Sequence, residues 1–194
     1  HAIYFNAWED DFCDDPLIAI IGQLSEFLEQ KERLKEYAPK IKKALKPLLS
    51  RTFQSVTKKF TGVDLSALQE QFVDNALEEY SLQRSNKVRL KAQLEAMSTM
   101  VVEETELPLV FVIDELDRCR PTFSIELLER VKHIFDVPGM VFVFGVNRDE
   151  LCSSIKSIYG EIDADVYLRR FFDLEFLLPE ASSENFCRHL IERY

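Results

Sequence analysis

LPLVFVIDELDRCRP, residues 107–121, is the stretch on which the reading of the whole chain turns. Residues 109–113 form an unbroken apolar run that ends on two adjacent carboxylates, Asp114 and Glu115. A short run with no polar alternation suits a strand buried on both faces. The carboxylates at its end have two readings. Either they are polar residues where a strand meets solvent, or one carboxylate holds Mg2+ while its neighbour polarises an attacking water.

The text on either side repeats the pattern. Residues 140–146, MVFVFGV, are a second apolar run, and residues 123–135 between the two runs carry apolar side chains at helical spacing. Residues 149–159 and 166–171 read as helical and 174–178 as a further strand, and a last helix is capped by Ser182 or Ser183. Near the start, Ile3, Phe5 and Ala7 alternate with Tyr4, Asn6 and Trp8, as in a strand. Asp14-Asp15-Pro16 then opens a helix with Leu17, Ile20, Ile21, Leu24, Phe27 and Leu28 on one face. Apolar strands separated by helices predict an α/β fold: a doubly wound, mostly parallel sheet covered by helices on both sides. Its reactive groups belong at the carboxyl ends of the strands.

The acidic pair and Asn147 lie at such ends. Asn147 follows the run after Asp114 and Glu115, where an amide either meets a phosphate or caps the next helix. Arg169 and Arg170 precede the last expected strand, as transition-state cations or as charges favoured by a helix end. Asp117 and Arg118 read as a loop-bracing ion pair, and Asn6 and Trp8 as packing and loop anchors.

Residues 31–105 differ in style and read as an all-helical insert. Pro39 and Pro47 limit helix continuity in its first part. Gly62-Val63-Asp64 caps a helix carrying Leu65, Leu68, Phe72, Ala76 and Tyr80, and a third helix carries Leu90, Leu94, Met97 and Val101.

The net charge of the 194 residues is −10, unevenly spread. Residues 31–59 hold ten Lys or Arg against two Glu, a local +8, which leaves −18 for the rest. This balance argues against nucleic-acid binding by the whole chain but not by that segment, which includes Lys40, Lys42, Lys43, Lys46, Lys58 and Lys59. Ile41, Ala44, Leu45, Leu48 and Leu49 share one face among these lysines, the pattern of a helix lying on a membrane surface or packing on an acidic body. No apolar run approaches the roughly 18 residues of a membrane span. Cys13, Cys119, Cys152 and Cys187 lack metal-ligand spacing and read as reduced thiols of a cytoplasmic protein, peripheral to a membrane at most.

Three blocks, FNAWEDDFCDDPLIAI, LVFVIDELDRCRPTFSIELLERVKHIFDVPGMVFVFGVNRDEL and DVYLRRFFDLEFLLPE, resemble the KAP family of P-loop NTPases in order and spacing. The resemblance implies a P-loop core of the additional-strand, catalytic-glutamate type that binds and hydrolyses ATP with Mg2+. It puts Asp114 at the magnesium aspartate of Walker B, Glu115 at the water-activating carboxylate, Asn147 at the sensor position, and Arg169 and Arg170 at arginine fingers or sensors. Its members include bacterial phage-exclusion proteins and animal membrane-associated scaffolds, and the polar insert leans toward the bacterial kind. One element is missing: none of Gly22, Gly62, Gly139, Gly145 and Gly160 precedes Lys at the GxxxxGK[S/T] spacing. With His1 in place of an initiating Met, the expectation is a partial domain over 1–194 whose first strand and P-loop lie upstream, and whose ATP binding is weak without them. The implied partners are nucleotide and a protein partner or further copies of the chain. The alternatives are a non-hydrolysing scaffold that kept the fold, and a membrane-surface or nucleic-acid adaptor working through residues 31–59.

Overall fold

The computed structural model describes residues 2–49, 65–178 and 183–193. Strand β1, Ala2–Asn6, is followed by three helices, α1 (Pro16–Glu29), α2 (Tyr37–Leu49) and α3 (Leu65–Thr105). Strand β2, Leu109–Asp114, runs through a 3-10 turn, Leu116–Arg118, into α4, Pro121–Ile134. Then come β3 (Met140–Gly145), α5 (Arg148–Tyr159), α6 (Ala164–Leu168) and α7 (Ser183–Arg193). The strands form one parallel sheet in the order β1-β2-β3, with Asn6 opposite Asp114 and Asp114 opposite Gly145. The fold is therefore α/β, with its central strand ending on the carboxylate pair.

Local chemistry explains the ends of these elements. Asp15 caps α1 by accepting from Leu17 N at 2.9 Å, and Pro16 takes the first position, where a missing N–H costs nothing. Pro39 is likewise tolerated in the first turn of α2, whereas Pro47 removes one backbone donor from the helix, which nevertheless continues to Leu49. The two helices expected between Leu65 and Val101 are one 41-residue helix, since no Gly or Pro interrupts the sequence between them.

The helical segment shares the core of the sheet. Leu90, Leu94, Met97 and Val101 are fully buried, in one cluster with Phe5, Phe111, Leu24 and Ile41. Ser98 Oγ, also buried, donates to Pro138 O at 2.6 Å and so fastens α3 to the turn before β3.

Two expectations need correction. Residues 174–178 form no strand; they pair with neither edge of the described sheet, and Leu174, Phe176, Leu177 and Leu178 stand exposed. Nor do helices cover both faces of the described sheet. Ile3, Phe5, Leu109, Phe111 and Ile113 are buried on one face, whereas Tyr4, Val141 and Val143 on the other are 59, 43 and 47 % exposed. Continuous apolar strands predicted two covered faces; among the described residues one is covered, and β3 is an open edge. The expected caps at Gly62-Val63-Asp64 and Ser182, together with Lys58 and Lys59, lie outside the described residues.

Candidate functional site

The parallel register sets Asn6, Asp114 and Gly145 side by side at the carboxyl end of the sheet. Asp114 is held by two hydrogen bonds and has open space on a third side. Tyr4 donates its hydroxyl to Oδ2 at 3.1 Å, and Glu115 N donates to Oδ1 at 2.9 Å. On the third side, a Cβ on Gly145 would come within 2.7 Å of Oδ1. Gly145 is therefore a space requirement, and the carboxylate rests where any other residue would put a side chain. The hydrogen bond to Asp114, ahead of partial burial and the nearby Asp114 and Glu115 charges, holds the Tyr4 phenol above its usual pKa.

Glu115 adopts the left-handed conformation, φ 57° and ψ 26°, which costs a non-glycine residue energy and is kept where the surroundings enforce it. Here the next residue, Leu116, is fully buried, and its carbonyl accepts from Ser124 Oγ at 2.8 Å. The turn leaves each oxygen of the Glu115 carboxylate with a donor. Asn6 Nδ2 lies 3.2 Å from Oε2, and Arg118 reaches Oε1 at 2.8 Å. Arg118 thus braces Glu115, not Asp117 as its place in the sequence suggested. Asn6 also anchors its own loop, accepting from Trp8 N and Glu9 N at 3.1 and 3.3 Å.

Behind the turn, Arg120 clasps the loop after β1. Its backbone N and Nε reach Asp11 at 2.8 Å each, and its guanidinium also bonds the Asp11 and Cys13 carbonyls. The bond to Asp11 raises the Arg120 pKa. Cys119, buried between these groups, has its thiol pushed up to about 12, by burial first and then by the Asp11 and Asp117 charges.

The other sequence-predicted residues are placed differently. Asn147 caps α5, its side chain accepting from Asp149 N at 3.1 Å and Glu150 N at 3.5 Å. It stands two residues past Gly145, at the end of the strand beside Asp114. Arg169 closes α6, and the Arg170 guanidinium lies 5.5 Å from the centre of the Tyr167 ring. Among the described residues no hydrogen bond or ion pair joins either arginine to Asp114 or Glu115.

Among the described residues no group of three or more His, Cys, Asp or Glu side chains could hold a metal by itself. Asp114 nevertheless fits Mg2+, which is usually bound by one or two carboxylates, with waters and phosphate oxygens completing the shell.

The basic segment gives a different result from the membrane-surface reading. Ile41, Ala44 and Leu45 are buried and Leu48 and Leu49 pack against the core, so the apolar face of α2 is already occupied. Two lysines of α2 are paired, Lys40 with Glu36 at 3.2 Å and Lys42 with Glu29 at 2.7 Å. Among the described residues no helix is long and apolar enough to cross a membrane.

Sequence reasoning missed Tyr4, Gly145 and the Glu115 contacts of Asn6 and Arg118. Only the alternation of β1, which aims Tyr4 and Asn6 to one side, hinted at the first. A model of the KAP family P-loop domain matches residues 1–193, and the chain belongs to that family of nucleotide-binding domains. No curated protein matches it.

Proposed function

We propose that this KAP-family chain forms most of an ATP-binding and hydrolysing switch, in which Mg2+-dependent hydrolysis drives conformational change or assembly. One observation carries the reading. The Asp114–Glu115 pair ends the central strand of a parallel sheet, and the neighbouring strand β1 supplies a hydrogen-bond donor to each carboxylate. A solvated strand end has no need of such orientation.

In this reading Asp114 holds Mg2+ through its water shell, and the ion, when bound, neutralises phosphate charge. Glu115 takes the proton of the attacking water. Each of its oxygens has one donor, and a carboxylate has about four acceptor sites, so lone pairs remain for that proton. Asn147, its Oδ1 committed to the α5 cap, has its amide N–H groups to offer a phosphate or the water. Arg169 and Arg170 offset transition-state charge once a neighbouring element or subunit brings them to the phosphates.

The phosphate-binding loop comes from a segment outside these 194 residues. The open edge of β3 takes its strand, and the exposed face of Tyr4, Val141 and Val143 takes its helix. With these additions the sheet takes the doubly wound additional-strand, catalytic-glutamate form. Residues 31–105 are a helical insert within that domain. Their polar character favours the phage-defence members of the family over the membrane-associated ones, and with them a cytoplasmic location.

The test is ATP hydrolysis by protein that includes its phosphate-binding loop, beside the same protein with Glu115→Gln. Turnover lost in the variant while nucleotide still binds supports the reading. Absence of turnover in both, with nucleotide bound, makes the protein a scaffold that kept the fold without the chemistry.

A further inference from the structure

Of the residues around the carboxylate pair, Tyr4 has no assigned part in the chemistry. Its ring is more than half exposed on the face that the described residues leave uncovered. Its hydroxyl is nonetheless aimed at Asp114 Oδ2, 3.1 Å away and 110 residues distant in sequence. The other oxygen of Asp114 accepts from Glu115 N and lies in the space that Gly145 leaves open. The two oxygens turn together about the Cβ–Cγ bond, so without the phenol only the hydrogen bond from Glu115 N opposes rotation of the carboxylate.

We infer that Tyr4 is a positioning residue for the magnesium site, its hydroxyl holding the Asp114 carboxylate in the orientation that a metal's water shell requires. This rests on the reading of Asp114 as the metal-holding group. An outer partner that orients a metal-binding carboxylate is commonly worth 10- to 100-fold in metal affinity. A phenol suits such a role because it carries no charge to compete with the cation, and its rigid ring fixes where the hydroxyl sits. A phenylalanine keeps the ring and removes only the donor.

The experiment measures the Mg2+ concentration that half-restores ATP binding to EDTA-treated full-length protein, and Mn2+ binding by electron paramagnetic resonance. The proteins are wild type, Tyr4→Phe, Asp114→Asn and the double variant. The expected result is a loss of metal affinity in Tyr4→Phe of about 10-fold or more, with metal-free nucleotide binding and melting temperature unchanged. In the Asp114→Asn background, removing the hydroxyl is expected to change nothing further. Metal affinity equal to wild type in Tyr4→Phe, while Asp114→Asn abolishes it, overturns the role of Tyr4 and leaves the site standing. Metal dependence unaffected by Asp114→Asn overturns the site itself, and this inference with it. A melting temperature lowered in Tyr4→Phe with no loss of metal affinity assigns Tyr4 to stability alone.

Discussion

Asn6 and Glu115 lie 109 residues apart in sequence and 3.2 Å apart in space, Nδ2 of the first donating to Oε2 of the second. The same asparagine holds its own turn through Oδ1, so one side chain ties the exit of β1 to the exit of β2. Orientation of Glu115 is therefore coupled to the loop that follows β1. That loop is in turn clasped by Arg120 from the far side of the 3-10 turn.

The two halves of Asn6 can be separated. Asn6→Asp keeps the acceptor for Trp8 N and Glu9 N and replaces the donor with a second negative charge facing Glu115. We expect the fold to persist, and kcat for ATP hydrolysis by protein with its phosphate-binding loop to fall about tenfold or more with KM little changed. Steady-state kinetics beside a thermal melt checks this. Unchanged kcat means that the contact does not position the base.

Gly145→Ala pushes a methyl group into the space of Asp114 Oδ1. The carboxylate is the end of a side chain, so it rotates away before the backbone of β3 yields. The expected outcome is a folded protein whose Mg2+ requirement for nucleotide binding rises about tenfold. Magnesium titration and circular dichroism test the two halves of that statement.

Leu94 is fully buried where α3 meets the body. Leu94→Ala is expected to cost about 2–5 kcal/mol. Trp8, the single tryptophan, sits just beyond β1 and reports on the sheet. If the helical segment and the sheet form one cooperative unit, urea unfolding followed by Trp8 fluorescence shifts by the full amount. A Trp8 transition that stays in place shows instead that residues 31–105 unfold independently.

Cys119, buried with its pKa pushed from 9.0 up to about 12, stays a thiol at neutral pH. A thiol reagent at pH 8 is expected to modify exposed Cys187 first and Cys119 only on unfolding. Linkage gives the sign for stability. The folded state holds this proton more tightly, so its contribution is complete below about pH 9 and is lost as pH rises toward 12. Alkaline melts of wild type and Cys119→Ala should converge in that window, and parallel curves would rule the contribution out.

What the residues announce on their own is local. Asp15 ahead of Pro16 signals a helix start from two adjacent residues. The apolar run of residues 109–113 signals a buried strand, and Asp114 and Glu115 follow it by covalent connection. Alternation of strand and helix then gives α/β. The capping option for Asn147 was local too, and its cap on α5 is among the contacts the structure displays.

Where the sequence by itself ran out was at every relationship set by strand order. Periodicity shows that Tyr4 and Asn6 point one way, but only the pairing of β1 with β2 decides that they meet Asp114 and Glu115. Nothing in FGVN marks Gly145 as the residue that makes room for a carboxylate, since that room exists only once β3 lies against β2. The apolar residues at 174–178 satisfy the pattern of a strand yet form none, because a strand is completed by hydrogen bonds to a neighbour and not by its own side chains. Caps, periods and turns depend on a few adjacent residues and are written in order along the chain. A site built from groups more than a hundred residues apart depends on which backbones pair, and that was decided only by the tertiary structure.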